Sequence, residues 1–302
     1  MNRWVEAARP RTLPLAVASI MLGNLLAYSN GKFDWIIAAL AILTTVGLQV
    51  LSNFANDYGD SANGIDNQDR KVALRAVQTG KINRQEMKQV VILTACLSFL
   101  MGIGLLVYSL QQASWEVWLN FLGLGIASIL AAIAYTVGKK PYGYMGLGDL
   151  SVFIFFGLVG TMGTYFLQTQ SIPFHIAYPA AGCGLLSVAV LNLNNLRDLD
   201  NDKKSGKNSI PVRIGKTLGF YYQKILLFMG IIPFAVYHMA VYKSASNTTA
   251  NLLILLGYYP IIIMLRELKP TMTPTEIDPY LKKTALRTLL LILLFGISEI
   301  IQ

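Results

Sequence analysis

Long apolar runs separated by short polar segments dominate the chain. A helix that crosses a bilayer needs about 20 mostly apolar residues. Runs near that length fall at about 13–28, 35–56, 89–110, 115–137, 147–169, 174–194, 220–242, 251–265 and 284–301. The pattern predicts an all-α integral membrane protein of about nine spans, forming one domain over residues 1–302. Gly and Pro inside these runs, such as Gly102, Gly104, Gly123, Gly125, Pro233 and Pro260, are tolerated in membrane helices, where small residues allow close packing.

Composition supports that reading. Of 302 residues, 54% are hydrophobic and 14% charged, with mean hydropathy +0.50. Soluble domains carry about a quarter charged residues. Two His and two Cys are too few for a zinc cluster or a disulfide framework. Cys96 and Cys183 read as small buried thiols. The first apolar run follows Arg9-Pro10-Arg11 and continues at spanning length, so no cleavable signal peptide is expected.

Charge fixes the expected orientation. Taking the loops alternately, all of the 25 Lys and Arg except Lys32 and Lys243 fall on the side that holds the N-terminus. By the positive-inside rule that side is cytoplasmic and the C-terminus lies outside, across a cytoplasmic (inner) membrane. The net charge of +9 is thus loop bias, and no nucleic-acid partner is expected. The two longest loops, 57–88 and 195–219, are both on this side, so the chemistry is expected there.

Two acidic stretches extend apolar runs into these loops. The first reads LSNFANDYGDSANGIDNQDRKVALRAVQTG, residues 51–80. Asn53, Asn56, Asp57 and Asp60 fall at i, i+3, i+4 and i+7, one face of a helix. Carboxylates massed on one face repel unless a cation sits among them. Hard oxygen ligands suit Mg²⁺, which keeps waters and bridges to substrate phosphates. The second stretch, residues 192–215, reads NLNNLRDLDNDKKSGKNSIPVRIG, with Asp198 and Asp202 at i and i+4 and Lys203, Lys204, Lys207 and Arg213 close behind. Asn192 and Asn195 lead into it as Asn53 and Asn56 lead into the first. The repetition on the second and sixth spans is the mark of a weak internal duplication. Solvated loops would also carry acids, but ionisable groups at a membrane boundary are costly and usually functional.

Two such faces with Lys and Arg nearby suit a diphosphate, and an apolar intramembrane cavity suits a long hydrocarbon tail. An allylic diphosphate there ionises toward a carbocation that aromatic faces can stabilise. A third segment, YTVGKKPYGYMGLGD at 135–149, places Tyr135 and Lys139 at i and i+4 on a helix end. Lys139 is in a position to reach a phosphate, and Tyr135 to donate to it or to pack on the cation. Lys139 and Lys140 also fit a pure topology signal. Asp149 is either a helix N-cap or an active-site base or acceptor orienter.

These motifs (NDYGD, LRAVQTG, YxxxK with PYGYMGLGD, NNLRDLDNDKKSGKNSIPVRIG and the opening ARPRTLPL) resemble the UbiA superfamily of intramembrane aromatic prenyltransferases. They are most similar to its members that act on 1,4-dihydroxy-2-naphthoate in menaquinone synthesis. The resemblance spans the chain. It implies nine helices around a central cavity that opens sideways into the lipid bilayer. It implies Mg²⁺ held by Asp57, Asp60, Asp198 and Asp202, with Asn53 and Asn56 in support. It implies that Arg70, Lys139 and Lys207 contact diphosphate. The implied partners are polyprenyl diphosphate and 1,4-dihydroxy-2-naphthoate, with the prenyl chain replacing the carboxyl group, CO₂ and diphosphate released and demethylmenaquinone formed. One departure stands out. Where superfamily members often carry a third acid four residues after the second in the first motif, this chain has Gly64, and its next acid is Asp66. Rival readings are another acceptor, such as 4-hydroxybenzoate, and a cation-coupled transporter. The transporter would more often place its ionisable residues near mid-membrane in broken helices.

Overall fold

Polar caps mark where the apolar runs start and stop. The computed structural model describes residues 2–64, 74–242 and 247–302, so Asp66, Arg70 and Lys243 lie outside the described residues. A short helix, α1 (Arg3–Ala8), precedes α2 (Leu13–Ser29). Asp34 caps α3 (Trp35–Ala62), its Oδ1 accepting from the N–H groups of Ile36 at 2.7 Å and Ile37 at 3.2 Å. Asn83 and Glu86 form a capping box on α4 (Arg84–Ser109), and Ser114 caps α5 (Trp115–Ala134). Next come α6 (Gly148–Val152) and α7 (Thr164–Thr169), joined by a π-helical stretch over Phe153–Gly163. Then follow α8 (Ala177–Arg197), α9 (Leu199–Lys204), α10 (Ile210–Tyr242), α11 (Thr248–Glu267) and α12 (Pro274–Ile300), the last opened by a Thr273/Glu276 capping box.

Among the described residues, eight helical segments are long and apolar enough to cross a membrane. Together with α12 they match the nine expected runs. Helix α12 is long, but Lys282, Lys283, Arg287 and Glu299 interrupt its apolar stretch. Helix α8 is the hub. It packs against α10, α12 and the π-helical stretch, in a core that includes Leu186, Leu193, Phe220, Phe234 and Phe295. Helix α5 has no buried residue, and side chains such as Leu130 on α5 and Leu100 on α4 point outward, as a lipid-facing wall requires.

Three departures from the expected pattern bear on the site. Helix α5 ends at Ala134 rather than at 137, and the chain turns away at Gly138, φ +118°, with Pro141 following. Tyr135 is the cap of that helix and Lys139 lies beyond it, so the two do not share a helical face. Helix α8 continues to Arg197 and pauses at Asp198 (φ −93°, ψ 8°) before α9. Asp202 N–H still bonds Asp198 O at 2.8 Å, which keeps the pair one turn apart. The fifth span opens into a π-helix where glycines bring backbones together: a Cβ on Gly157 would lie 2.7 Å from Gly184 Cα, and one on Gly160 would lie 2.7 Å from Ser19 Oγ.

Candidate active site

The last turns of α3 carry the first motif. Asn53, Asp57 and Asp60 are buried there, and a buried carboxylate needs a partner. Arg75, itself buried, pairs its Nη2 with Asp60 Oδ2 and places Nη1 3.6 Å from Asp57 Oδ1. Ala76 N–H donates to Asp57 Oδ2 at 3.2 Å. Arg9 donates from Nη2 to Asp57 Oδ1. It does so from a turn in which its own backbone is left-handed, φ 51°. Asn53 holds that turn in place, donating to Ala8 O at 2.8 Å and to Thr12 Oγ1 at 3.1 Å. Asn56 Oδ1 accepts from Thr136 Oγ1 at 3.2 Å.

The second motif lies at the junction of α8 and α9. Arg197 grips Asp198 with two hydrogen bonds, Nε to Oδ1 at 2.7 Å and Nη2 to Oδ2 at 2.8 Å. Its Nη1 reaches Asp278 at 2.7 Å, and Arg11 donates to both oxygens of Asp278 at 3.1 and 3.2 Å. Lys207 Nζ stands 3.5 Å from Asp202 Oδ1. Asn192 is spent on packing, donating to Gly219 O at 3.1 Å and Gln223 Oε1 at 2.8 Å.

The two motifs meet through the turn between α5 and α6. Tyr144 donates its hydroxyl to Asp60 Oδ1, and Lys207 Nζ lies 5.3 Å from the centre of the Tyr144 ring. Burial, then the Asp60 charge, raises the Tyr144 hydroxyl pKa, so this group is a proton donor at neutral pH. Burial first, then the charges of Asp149, Tyr142, Asp202 and Asp60, likewise raises Tyr135. Gly148 sits where a Cβ would lie 2.8 Å from the Tyr135 hydroxyl, which accounts for a glycine there.

Beneath this polar end opens a cavity of about 380 Å³. Arg9, Asn53, Asn56, Asp60, Arg75, Tyr135, Asn194, Asn195 and Lys207 line its head; side chains such as Leu48, Phe99, Ile103, Phe121 and Phe156 line its body. Asp57, Asp198 and Asp202 stand behind the wall; Arg9, Arg75 and Lys207, which pair with Asp57 and Asp202, line it, while Arg197, which pairs with Asp198, does not. Asp149 is not at the cavity; it is in the first turn of α6 and accepts from the Tyr222 hydroxyl at 2.8 Å. Lys139 is exposed and does not line the cavity. Sequence reasoning gave no site role to Arg9, Arg75, Tyr144, Arg197 or Asp278. Arg9 and Arg75 stood inside quoted motifs, and their burial is what marks them out.

The sequence matches the UbiA prenyltransferase family over residues 16–276. A 1,4-dihydroxy-2-naphthoate octaprenyltransferase of Haemophilus influenzae is 45% identical over 304 residues, covering 100% of this chain and 96% of that protein. The Escherichia coli protein of the same name is 42% identical over 97% of this chain and 93% of its own length. A solved UbiA homologue from Archaeoglobus fulgidus, bound to GPP and Mg²⁺, superposes with a TM-score of 0.66 over 100% of both chains at 16% identity, a likeness of fold. Its apolar helices make this a multi-pass membrane protein. The chain belongs to the UbiA prenyltransferase family.

Proposed function

We propose that this protein transfers a polyprenyl group from polyprenyl diphosphate to 1,4-dihydroxy-2-naphthoate. The allylic C–O bond breaks, a C–C bond forms at the ring carbon that carried the carboxyl group, and CO₂ and diphosphate leave. The product is demethylmenaquinone in its quinol form. The observation that carries the reading is the meeting of both acidic motifs at the polar head of one apolar cavity. The acceptor follows from full-length relatives whose names state it.

The donor set fits a divalent cation, and we assign Mg²⁺. Among the described residues no three His, Cys, Asp or Glu converge on one point. Mg²⁺ does not require that: it binds through one or two carboxylates and completes its octahedron with waters and substrate phosphates. Asp57 and Asp60 would hold such a cation in the first motif and Asp198 and Asp202 in the second, with Asn53 and Asn56 in support. The cation would neutralise charge on the departing diphosphate.

The chain's own residues do the rest. Lys207 and Arg75 present cationic groups at the head of the cavity, Arg70 is proposed to join them, and the apolar body takes the prenyl tail. Tyr135 faces the cavity with a retained proton, suited to donate to phosphate or to pack against positive charge. The N-terminus and this polar head face the cytoplasm, the C-terminus lies outside, and the whole chain acts as one domain. The acids gather at one end of the bundle, which disfavours a transporter.

The test offers purified protein octaprenyl diphosphate and a panel of acceptors, with mass spectrometry of the products. The expected product from 1,4-dihydroxy-2-naphthoate has gained the prenyl group and lost CO₂. Prenylated 4-hydroxybenzoate that retains its carboxyl group, with the naphthoate untouched, would overturn the acceptor assignment.

A further inference from the structure

Tyr144 is far in sequence from both acidic motifs and touches both. Its hydroxyl bonds Asp60 while Arg75 holds the other oxygen, so the carboxylate is fixed at both ends. Its ring lies under the Lys207 ammonium, which is itself 3.5 Å from Asp202. Its backbone carbonyl accepts from Asn208 N–H at 2.9 Å. The second motif's side also fixes the turn: Arg213 donates to Met145 O at 2.6 Å and to Asn208 O at 3.0 Å. Gly146 closes the turn at φ +80°, where a Cβ would lie 2.4 Å from Arg213 Nη2 and 2.7 Å from Asn208 O. No bulkier residue fits without moving that contact.

We infer that Tyr144 is a positioning residue for the diphosphate subsite, holding the Asp60 carboxylate and the Lys207 ammonium in register across the two motifs. The inference rests on the diphosphate reading above and deepens it. A lysine side chain loses rotamer entropy when it is ordered, so a diphosphate that had to order Lys207 for itself would bind more weakly. An aromatic face beneath the ammonium orders it beforehand, and the hydroxyl does the same for Asp60. The two parts of the side chain thus have separable jobs.

The test uses Tyr144→Phe, which keeps the ring, and Tyr144→Leu, which keeps neither part. The purified proteins are titrated with octaprenyl diphosphate in Mg²⁺ by calorimetry and then assayed. Loss of a hydrogen bond to a charged group predicts about a tenfold rise in Kd and KM for the diphosphate in Tyr144→Phe. KM for the naphthoate is expected to stay near wild type, and the ligand-free melting temperature to fall modestly, because the hydrogen bond is already made without ligand. Tyr144→Leu is expected to weaken diphosphate binding further, and that extra loss disappears when Lys207→Met is already present. A Tyr144→Phe protein that binds diphosphate as wild type does, whether or not it melts earlier, assigns the residue to packing and overturns the inference. An extra loss in Tyr144→Leu that persists beside Lys207→Met overturns the role of the ring. Wild-type protein that fails to bind the diphosphate overturns the diphosphate reading itself, an outcome the wild-type titration alone reports.

Discussion

The two acidic motifs solve one electrostatic problem in different ways. In the first, Asp57 and Asp60 are neutralised from a distance: Arg9 arrives from the N-terminal turn, and Arg75 from the far part of the same stretch, beyond the end of α3. In the second, the partners are local: Arg197 precedes Asp198 directly, and Lys207 follows Asp202 by one short turn. The second motif therefore assembles with its own helix end. The first exists only when three separate segments have packed together. Its carboxylates are also the more deeply clamped, since Arg75 serves both. The difference teaches that the first motif ties active-site geometry to the assembly of the whole polar end, while the second supplies a prebuilt half.

The sharpest break of that comparison is to neutralise one acid in each half. Asp57→Asn and Asp198→Asn are both expected to cut prenyl transfer by about 10²–10³-fold, the scale seen when a group stabilising transition-state charge is removed. Excess EDTA is expected to stop wild-type transfer. Turnover at the wild-type rate in either variant, or in EDTA, would remove the metal assignment for that half.

The next effect separates the partners. Arg75→Gln leaves two buried carboxylates short of a cation, so it is expected to cost both stability, about 3–5 kcal/mol, and most of the activity. Lys207→Met removes the 3.5 Å contact to Asp202 and the ammonium over the Tyr144 ring, and is expected to cost about tenfold in kcat/KM with a smaller fall in melting temperature than Arg75→Gln, because Arg75 serves two acids. Melting curves and kinetics on the same preparations check the order. A Lys207 variant less stable than the Arg75 variant would invert the comparison.

Arg9 tests how far the N-terminal turn belongs to the first motif. Arg9→Ala is expected to remove one of the cations facing Asp57 and to loosen a turn that Asn53 still holds at Ala8 and Thr12. A loss of about tenfold in kcat/KM is expected, smaller than that for Arg75, which contacts both acids. Equal effects would mean that the N-terminal turn contributes as much to the site as the segment carrying Arg75.

The apolar spans and the four-residue face on α3 were legible, because period is a property of local sequence. What was not legible depends on which segments meet. The spacing of Tyr135 and Lys139 looks helical, but Gly138 turns the chain before Lys139 is reached. Arg9 and Arg75 carry the same charge as the loop lysines, and only burial against Asp57 and Asp60 sets them apart. Asp198 and Asp202 were legible as a pair, but the Asp278 carboxylate of α12 that shares Arg197 with Asp198 was not. The π-helical stretch of the fifth span lies where its glycines pack closely on α8 and α2, a juxtaposition that no single segment reveals.

The smallest effect concerns Lys139, which the resemblance assigns to the diphosphate. It is exposed on the segment after α5, outside the wall of the cavity. An exposed lysine acts on a bound anion through screened charge alone, worth well under about 1 kcal/mol. Lys139→Ala is therefore expected to raise KM for polyprenyl diphosphate no more than about threefold, and that small rise is expected to shrink further at high salt. Steady-state assays of wild type and variant at two ionic strengths make the measurement. A hundredfold rise that survives high salt would mean that the segment carrying Lys139 folds over the diphosphate when substrate arrives, and that the turn at Gly138 is the hinge on which it moves.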